Sequence, residues 1–214
     1  MTSTHPQGTD NQSSTRTCSC SMVPPPASER RPIVISGPRA HDKFAMYESL
    51  VEIHDDRLIR PPCHTTRDPQ SWEIDGFPHY FVSRFEFLNM LHADRFFQYQ
   101  YFEDNHYGTS METVRRLQEN SFASVFDTTL TGNSLLTKYQ ILDPRYFFMR
   151  PPNTDYLKTR LRNRGMDEDK IQKEISSAEK EWDAAEASGL FDIVITNDGS
   201  EKAFRELEAF ALGL

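Results

Sequence analysis

The stretch from Arg31 to Phe44, RPIVISGPRAHDKF, constrains the fold of this chain more than any other part of the sequence. It opens with the apolar, β-branched run Ile33–Ile35, which favours a buried strand, and the chain then turns at Gly37. The segment after the turn is typical of a helix. A strand, a glycine turn and a helix in this order can form a phosphate-binding loop, although an ordinary turn between a strand and a helix gives the same pattern.

A phosphate-binding loop of the form GxxxxGK[ST] wraps backbone N–H groups around the phosphates, sets a lysine against their charge and holds Mg²⁺ with a hydroxyl. Gly37 and Lys43 stand at this spacing, but Asp42 replaces the second glycine and Phe44 replaces the hydroxyl residue. A non-glycine residue at positive φ costs about 1–2 kcal/mol. A carboxylate about 4 Å from a phosphate charge adds about 4 kcal/mol of repulsion at an effective dielectric of about 20. Both effects oppose triphosphate binding, and they favour a solvated surface pair between Lys43 and Asp42.

Composition limits the possible functions. The chain has 214 residues, 37% of them hydrophobic, and a formal net charge of −8, which predicts one main domain with a sizeable core. An acidic chain of this kind is not expected to bind nucleic acid or a membrane surface, because such proteins usually carry a basic face. Three cysteines fit neither a disulfide framework nor a CxxC metal pair. We expect a cytoplasmic monomer without a metal site.

The first 30 residues are rich in Ser, Thr, Gln and Pro and lack apolar periodicity, so they are predicted to form a disordered tail. A mitochondrial presequence is the alternative, although Arg16 and Arg30 are balanced by two acidic residues. The close pair Cys18 and Cys20 is expected to be exposed, with lipidation as the alternative.

Strand and helix patterns alternate along the rest of the chain. Strands are predicted at 58–60, 80–82, 96–102, 122–126, 146–149 and 191–195, and helices at 45–53, after Ser83, from Met111, at 154–165, at 167–188 and after Ser200. The run 96–102, FFQYQYF, is predicted as a half-buried strand because aromatic and polar residues alternate, and 106–110 is predicted as a turn. This alternation predicts an α/β fold with a parallel sheet covered by helices.

Several ordered motifs make the chain resemble guanylate kinase over nearly all of residues 31–212. They are RPIVISGP, TTRDPQSWEIDGFPHYF at 65–81, YG at 107–108, RLRNRG at 160–165 and ITND at 195–198. The resemblance implies a guanylate-kinase-like domain at 31–214 with a parallel sheet of the P-loop NTPase type. It also implies an inserted small mixed α+β lobe at 63–108, similar to a GMP-binding lobe, and a helical lid at 153–175.

The resemblance implies that part of this lobe keeps its contacts to a GMP-like or phosphorylated ligand. The family's phosphate-binding arginine matches Arg67, and its YGS tyrosine and hydroxyl match Tyr107 and Thr109. Three other positions differ from the family: serine is Cys63, a second arginine is Gln70 and a phosphate-binding tyrosine is His79. Arg67 could instead brace the lobe through a salt bridge, and Tyr107 could be a core aromatic beside a turn.

Two carboxylates that recognise the guanine edge in the family correspond to Gln98 and Thr129. A carboxylate accepts two N–H donors with charge-assisted strength, whereas glutamine accepts one and threonine hardly reaches. We therefore expect guanine selectivity to be lost. Asp127, at the end of the central strand, is kept, but it has no hydroxyl partner at Phe44 for a metal.

If the chain is active, the resemblance implies catalytic roles for Lys43, Arg160 and Arg164 and nucleotide contacts from Gly37, Lys43 and Asn197, with ATP and Mg²⁺ as cofactors. The family's later lid arginine is replaced by Glu174. Positive charge at 160–164 could equally complement the end of a helix.

Phosphoryl transfer depends almost entirely on positioning and charge neutralisation, so these changes affect the mechanism itself. We therefore expect a catalytically impaired pseudoenzyme that acts by binding a ligand or a protein partner. The alternatives are a divergent ATP-dependent kinase with another acceptor, and a residual ATP:GMP phosphotransferase.

Overall fold

The computed structural model describes residues 30–38, 43–128 and 142–214. Residues 1–29 of the predicted tail, Asp42 and Thr129 lie outside these residues. In chain order the strands are β1 (Ile33–Ser36), β2 (Leu58–Ile59), β3 (Cys63–Thr65), β4 (His79–Phe81), β5 (Phe96–Phe102), β6 (Asn105–Ser110), β7 (Ala123–Thr128), β8 (Arg145–Arg150) and β9 (Ile193–Thr196). The helices are α1 (Lys43–Ile53), α2 (Arg84–His92), α3 (Met111–Glu119), α4 (Thr154–Asn163), α5 (Glu168–Ser188) and α6 (Glu201–Leu212).

The main sheet contains five parallel strands in the order β2-β7-β1-β8-β9. Ile33 and Ile35 of β1 pack with residues of α1 and α6, including Leu50 and Leu207. Val34 points to the opposite face, where it packs with residues of α3, β5 and β7. Helices thus cover both faces, and this explains why β1 is a continuous apolar run without alternation. The predicted α/β parallel sheet is confirmed.

A second, four-stranded mixed sheet has the order β4-β3-β6-β5. The prediction that 106–110 is a turn was wrong, because β6 runs through these residues. The chain reverses earlier, at Glu103 and Asp104, which both have positive φ (46° and 60°). A two-residue turn with two positive φ angles is the usual connection of a tight hairpin, so the following residues pair with β5.

The predicted half-burial of β5 by alternation was also wrong. Phe96 and Phe97 are both buried, whereas residues 99–102 are all exposed. The Phe97 ring reaches the core beside Phe126, whereas the Phe96 ring stacks on Phe87 of α2. A register shift between Phe96 and Gln98 breaks the alternation there. The rest of β5 extends away from the core as an edge strand.

The helix patterns correspond closely to the structure. Ser83 and Glu86 form the predicted capping box of α2, and Ser200 caps α6 through the N–H of Ala203. Helices α4 and α5 share a core of Leu157, Leu161, Ile171, Ile175 and Ala178. Among the described residues, no helix is both long and apolar enough to cross a membrane.

Candidate functional site

Gly37 follows the last residue of β1 at the carboxyl edge of the main sheet. Its φ of +152° is one that residues with a side chain rarely adopt, and a Cβ added here would lie 2.2 Å from the carbonyl oxygen of Met149 in β8. Glycine is therefore required by the close approach of two backbones, whether or not a phosphate binds.

Lys43, the first residue of α1, does not lie at the surface, contrary to the prediction of a solvated pair. It is only 5% exposed. Its Nζ lies 2.8 Å from Asp127 Oδ1 and donates to the Thr128 carbonyl oxygen at 3.0 Å. Asp127 is the register partner of Ile35 in β1, so the ion pair closes the carboxyl edge of the sheet. This contact already engages the lysine charge that a phosphate would need.

Phe44 is 46% exposed, and its ring centroid lies 6.0 Å from that of Tyr47. Because its side chain has no oxygen, the position that carries the metal-binding hydroxyl in a phosphate-binding loop offers no ligand to Mg²⁺. With Asp127 paired to Lys43, the described residues at this edge do not fit a magnesium–triphosphate site.

Most residues predicted to bind the ligand come together on one face of the second sheet. Residues directly opposite each other in neighbouring strands share a face. The register pairs Cys63 with His79, Thr65 with Tyr107, and Gln98 with Thr109. Since Tyr107 and Thr109 are two residues apart in β6, and Cys63 and Thr65 are two apart in β3, all of these side chains lie on the same face, which we call the acceptor face.

Two substituted positions of the acceptor face contact each other. Cys63 Sγ lies 3.1 Å from His79 Nδ1, and the His79 ring lies 6.1 Å from the Tyr107 ring between centroids. Burial raises the pKa of the Cys63 thiol, and burial followed by the Arg67 charge lowers the pKa of the His79 imidazole. At neutral pH this pair is therefore an uncharged thiol and an uncharged imidazole.

Arg67 follows β3 and is held by an acidic neighbour. Its two terminal nitrogens donate to the two Glu73 carboxylate oxygens at 2.9 and 2.8 Å, and its guanidinium carbon lies 5.6 Å from the Phe81 ring centroid. The hydrogen bonds from Arg67 lower the pKa of Glu73 to about 2. Glu73 and, to a smaller extent, Tyr107 raise the pKa of Arg67. The predicted alternative, a salt bridge that braces the lobe, is thus present.

Residues of the predicted lid lie on α4 and just beyond it. Arg160 donates to the Tyr156 hydroxyl at 3.2 Å, and Arg164 is the exposed residue after the helix. An open cavity of about 460 Å³ lies along this helix, lined by Asn153, Asp155, Tyr156, Thr159, Arg160 and Asn163. Glu174, which the resemblance matches to a family arginine, is half-buried in α5.

Asn197 follows β9 and is only 4% exposed. Its side-chain oxygen accepts from the Gly199 N–H at 2.9 Å, and its amide nitrogen lies 3.4 Å from Met149 Sδ. These contacts engage the side chain within the protein and shape the turn before α6.

Comparison with known proteins identifies the family. The family model described as guanylate kinase matches residues 29–212. The chain is 34% identical over 183 residues to the guanylate kinase of Schizosaccharomyces pombe, with 85% of this chain and 90% of the relative covered. It is 35% identical over 179 residues to the guanylate kinase of Sus scrofa, with 83% and 90% covered.

The chain belongs to the guanylate kinase family. A crystal structure of guanylate kinase from Anaplasma phagocytophilum matches with a TM-score of 0.52 and 18% identity, covering 85% of this chain and 84% of that one, and this agrees with the fold. The family assignment from the motifs is confirmed. For this guanylate-kinase-like protein, sequence reasoning missed Glu73 as the partner of Arg67, although a glutamate six residues after an arginine was a visible signal. It also missed the contact between Cys63 and His79, which only the strand register brings about.

Proposed function

We propose that this protein has lost efficient ATP:GMP phosphoryl transfer and acts by binding a GMP-like or other phosphorylated ligand on the acceptor face. The observation that carries the proposal is the ion pair of the buried Lys43 with the half-buried Asp127, next to Phe44. A lysine neutralised by a carboxylate, beside a ring in place of a metal-binding hydroxyl, is poorly suited to hold a magnesium–triphosphate.

Phosphoryl transfer needs positive charge that is available to the transferred phosphate, and loss of one transition-state arginine can cost about 10³-fold in rate. In this chain Lys43 is engaged by Asp127, and Glu174 stands at the position of a family lid arginine. These changes act on the same step, so their effects need not add, but each of them lowers the rate. No step through ATP or Mg²⁺ follows from the described residues.

The acceptor face supports ligand binding better than the carboxyl edge of the main sheet at Gly37, Lys43 and Phe44, which we call the donor edge. Tyr107 and Thr109 lie on it, and Arg67 stands at the end of β3. The Glu73 carboxylate weakens the electrostatic attraction between Arg67 and an anionic ligand. The uncharged pair of Cys63 and His79 adds no positive charge to the acceptor face. We therefore propose weak anion binding and little preference for guanine, since Gln98 offers one acceptor where the family carboxylate offers two.

Isothermal titration of the purified chain with GMP, and separately with ATP and Mg²⁺, tests this proposal. Measurable heat with GMP and none with ATP would support it. Binding of both nucleotides, with ADP formed in a coupled assay on the same sample, would contradict it. Titration of the Arg67→Met variant with GMP then shows whether the heat comes from the acceptor face.

A divergent phosphotransferase with another acceptor is a second candidate. It is favoured by Arg160 and Arg164 at the predicted lid, and by similarity to proteins named guanylate kinase over most of their length. In that case ATP and Mg²⁺ would be cofactors. ADP release with a nucleoside monophosphate other than GMP would favour this candidate.

A further inference from the structure

Strand β5 is the one long edge of the described sheets that carries no protection against pairing with another strand. Edge strands are usually short, or they carry charge or proline. Strand β2 has two residues and precedes Pro61 and Pro62, β4 has three residues, and β9 has four. Strand β5 has seven residues, FFQYQYF, with no charge, no proline and no glycine.

The outer end of β5 is also rich in exposed rings. Tyr99 is 39% exposed, Tyr101 is 55% exposed and Phe102 is 57% exposed. Within the described part of the chain, β5 pairs with β6 alone. Large exposed aromatic side chains next to unpaired backbone groups are costly to leave in water in a chain whose other sheet edges are short.

The hairpin geometry determines which backbone groups point outward. Phe102 pairs with Asn105 across the two-residue turn, and residues that flank such a turn exchange both backbone hydrogen bonds with each other. Hydrogen-bonded and non-hydrogen-bonded pairs alternate along the ladder, so the backbone N–H and C=O groups of Phe102, Gln100 and Gln98 point toward β6. The N–H and C=O groups of Tyr99 and Tyr101 point to the outer edge.

We propose that β5 pairs antiparallel with β5 of a second copy of this chain, around a two-fold axis at Gln100. In this register Tyr99 of each copy lies opposite Tyr101 of the other, so all the outward backbone groups of these two residues are paired. Gln100 lies opposite Gln100 of the second copy. A register centred on Tyr101 would instead set Tyr99 opposite Glu103 of the turn, and one centred on Tyr99 would set Tyr101 opposite the buried Phe97.

A second copy is the occupant that fits this edge, because the edge is complementary to itself. Antiparallel pairing is two-fold symmetric, so one contact forms a closed dimer and leaves no further β5 edge exposed. The symmetric register sets ring against ring at the tyrosine pairs and amide against amide at Gln100, both favourable cross-strand pairs. The strand carries no charged residue, so the pairing sets no like charges directly opposite each other within the ladder.

The acceptor face would gain a residue from this pairing. Gln98 and Phe102 lie on the acceptor face, and the register sets Gln98 of one copy opposite Phe102 of the other. An aromatic ring from the second copy would thus stand beside the residue at the base-recognition position. The interface itself does not depend on the proposed ligand.

Sedimentation velocity on the full chain, from about 1 to 200 µM, tests the pairing. A ladder of five residues is small for a specific interface, so we expect a dimer with a Kd on the order of 10–100 µM. A monomer at every concentration would overturn the proposal, and so would growth beyond the dimer, since the two-fold contact closes.

Two variants with the same change of charge assign the contact to β5. Gln100→Lys sets two ammonium groups against each other on the axis and should weaken the dimer at least tenfold. Gln172→Lys, on the exposed face of α5, should leave it unchanged. Equal dimerisation of both variants would overturn the assignment to β5, and equal weakening would point to net charge instead. Thermal unfolding by circular dichroism checks that both variants are folded.

A cysteine on the axis tests the register. With Cys18, Cys20 and Cys63 changed to serine, Gln100→Cys should form a disulfide-linked dimer when oxidised glutathione is supplied as the electron acceptor, because unbonded opposite pairs have their side chains closest. Gln172→Cys in the same background should not. Faster linkage from Gln98→Cys than from Gln100→Cys would overturn the register.

Discussion

The donor edge of the main sheet and the acceptor face of the second sheet have diverged in different ways. At the donor edge the backbone is tightly constrained by Gly37 against Met149, while the side chains that would hold a nucleotide are engaged or changed at Lys43 and Phe44. On the acceptor face the side chains still converge, but they include an uncharged pair, Cys63 and His79. Packing and catalysis place separate demands on neighbouring residues, so the backbone of this edge can be constrained independently of the side chains that would bind a nucleotide.

Glycine-to-alanine substitutions should give the largest difference in the free energy of unfolding between the donor edge and the second sheet. Gly37→Ala places a Cβ 2.2 Å from a backbone oxygen, which cannot move without shifting β8, so the free energy of unfolding should fall by about 3 kcal/mol or more. Gly108→Ala, in the second sheet, meets ring atoms of Phe96 and Phe87 at 2.8–3.1 Å, and these side chains can shift. It should cost about 1–2 kcal/mol. Urea unfolding monitored by tryptophan fluorescence measures both variants, and equal costs would contradict the contrast.

Lys43→Met tests whether the donor-edge lysine is structural. Removing it leaves Asp127 partly buried without its partner, so stability should fall by about 2 kcal/mol. The double variant Lys43→Met with Asp127→Asn should recover most of that loss, which a double-mutant cycle measures. Arg67→Met removes the ion pair with Glu73 in the second sheet, which solvent screens more strongly. Its loss of stability should be smaller than that of Lys43→Met. No loss on Lys43→Met would mean that the lysine does not depend on Asp127.

Gln98→Glu tests whether the acceptor face can recognise guanine. A carboxylate at this position of the acceptor face can accept two N–H donors from guanine, so GMP affinity should rise about tenfold. Phe44→Ser at the donor edge should bring no comparable gain for ATP while Lys43 stays paired with Asp127. Isothermal titration of both variants measures the difference. Unchanged GMP affinity would show that Gln98 does not face the base.

Lowering the pH should destabilise the second sheet before the main sheet. We expect this change in stability to be the smallest of the predicted effects. Burial lowers the folded-state pKa of His64, and of His79 and His106, below the usual 6.5, although Asp75 and Glu112 oppose the shift at His64. As the pH falls, the unfolded chain therefore binds more protons than the folded chain. The contribution of these neutral histidines to the free energy of unfolding is complete above about pH 6.5 and is lost at lower pH. Amide hydrogen exchange, corrected for its intrinsic pH dependence, should show lost protection in β3 and β6 between pH 7.5 and 5.5. Equal loss in β1 and β7 would contradict this.

The sequence predicted regular elements well where local signals and tertiary structure agree. The capping box at Ser83 and the apolar run of β1 are confirmed because the cap is local and both faces of β1 are buried. The strand β6 was missed because the HYGTS run has turn-forming residues, and only pairing with β5 and β3 makes it extended. Tertiary pairing overrode local preference there.

The contacts among the residues of the candidate site were harder to predict from the sequence than the helices and strands. Tyr107 and Thr109 lie in the second sheet and Arg67 follows its strand β3, at positions that the family motif had grouped together. Their ligand-binding roles stay a prediction. The contacts of Lys43 with Asp127 and of Cys63 with His79 join residues 84 and 16 positions apart. No local pattern specifies such contacts, which depend on strand order and register.

The proposed loss of efficient phosphoryl transfer is tested most directly by the rate of γ-phosphate transfer from ATP to GMP in the presence of Mg²⁺. The Schizosaccharomyces pombe guanylate kinase, assayed in parallel, provides the reference. We predict a rate at least about 10³-fold below that reference at saturating nucleotide. A rate within about tenfold of it would contradict the proposed loss of phosphoryl transfer and would indicate that Lys43 binds phosphate.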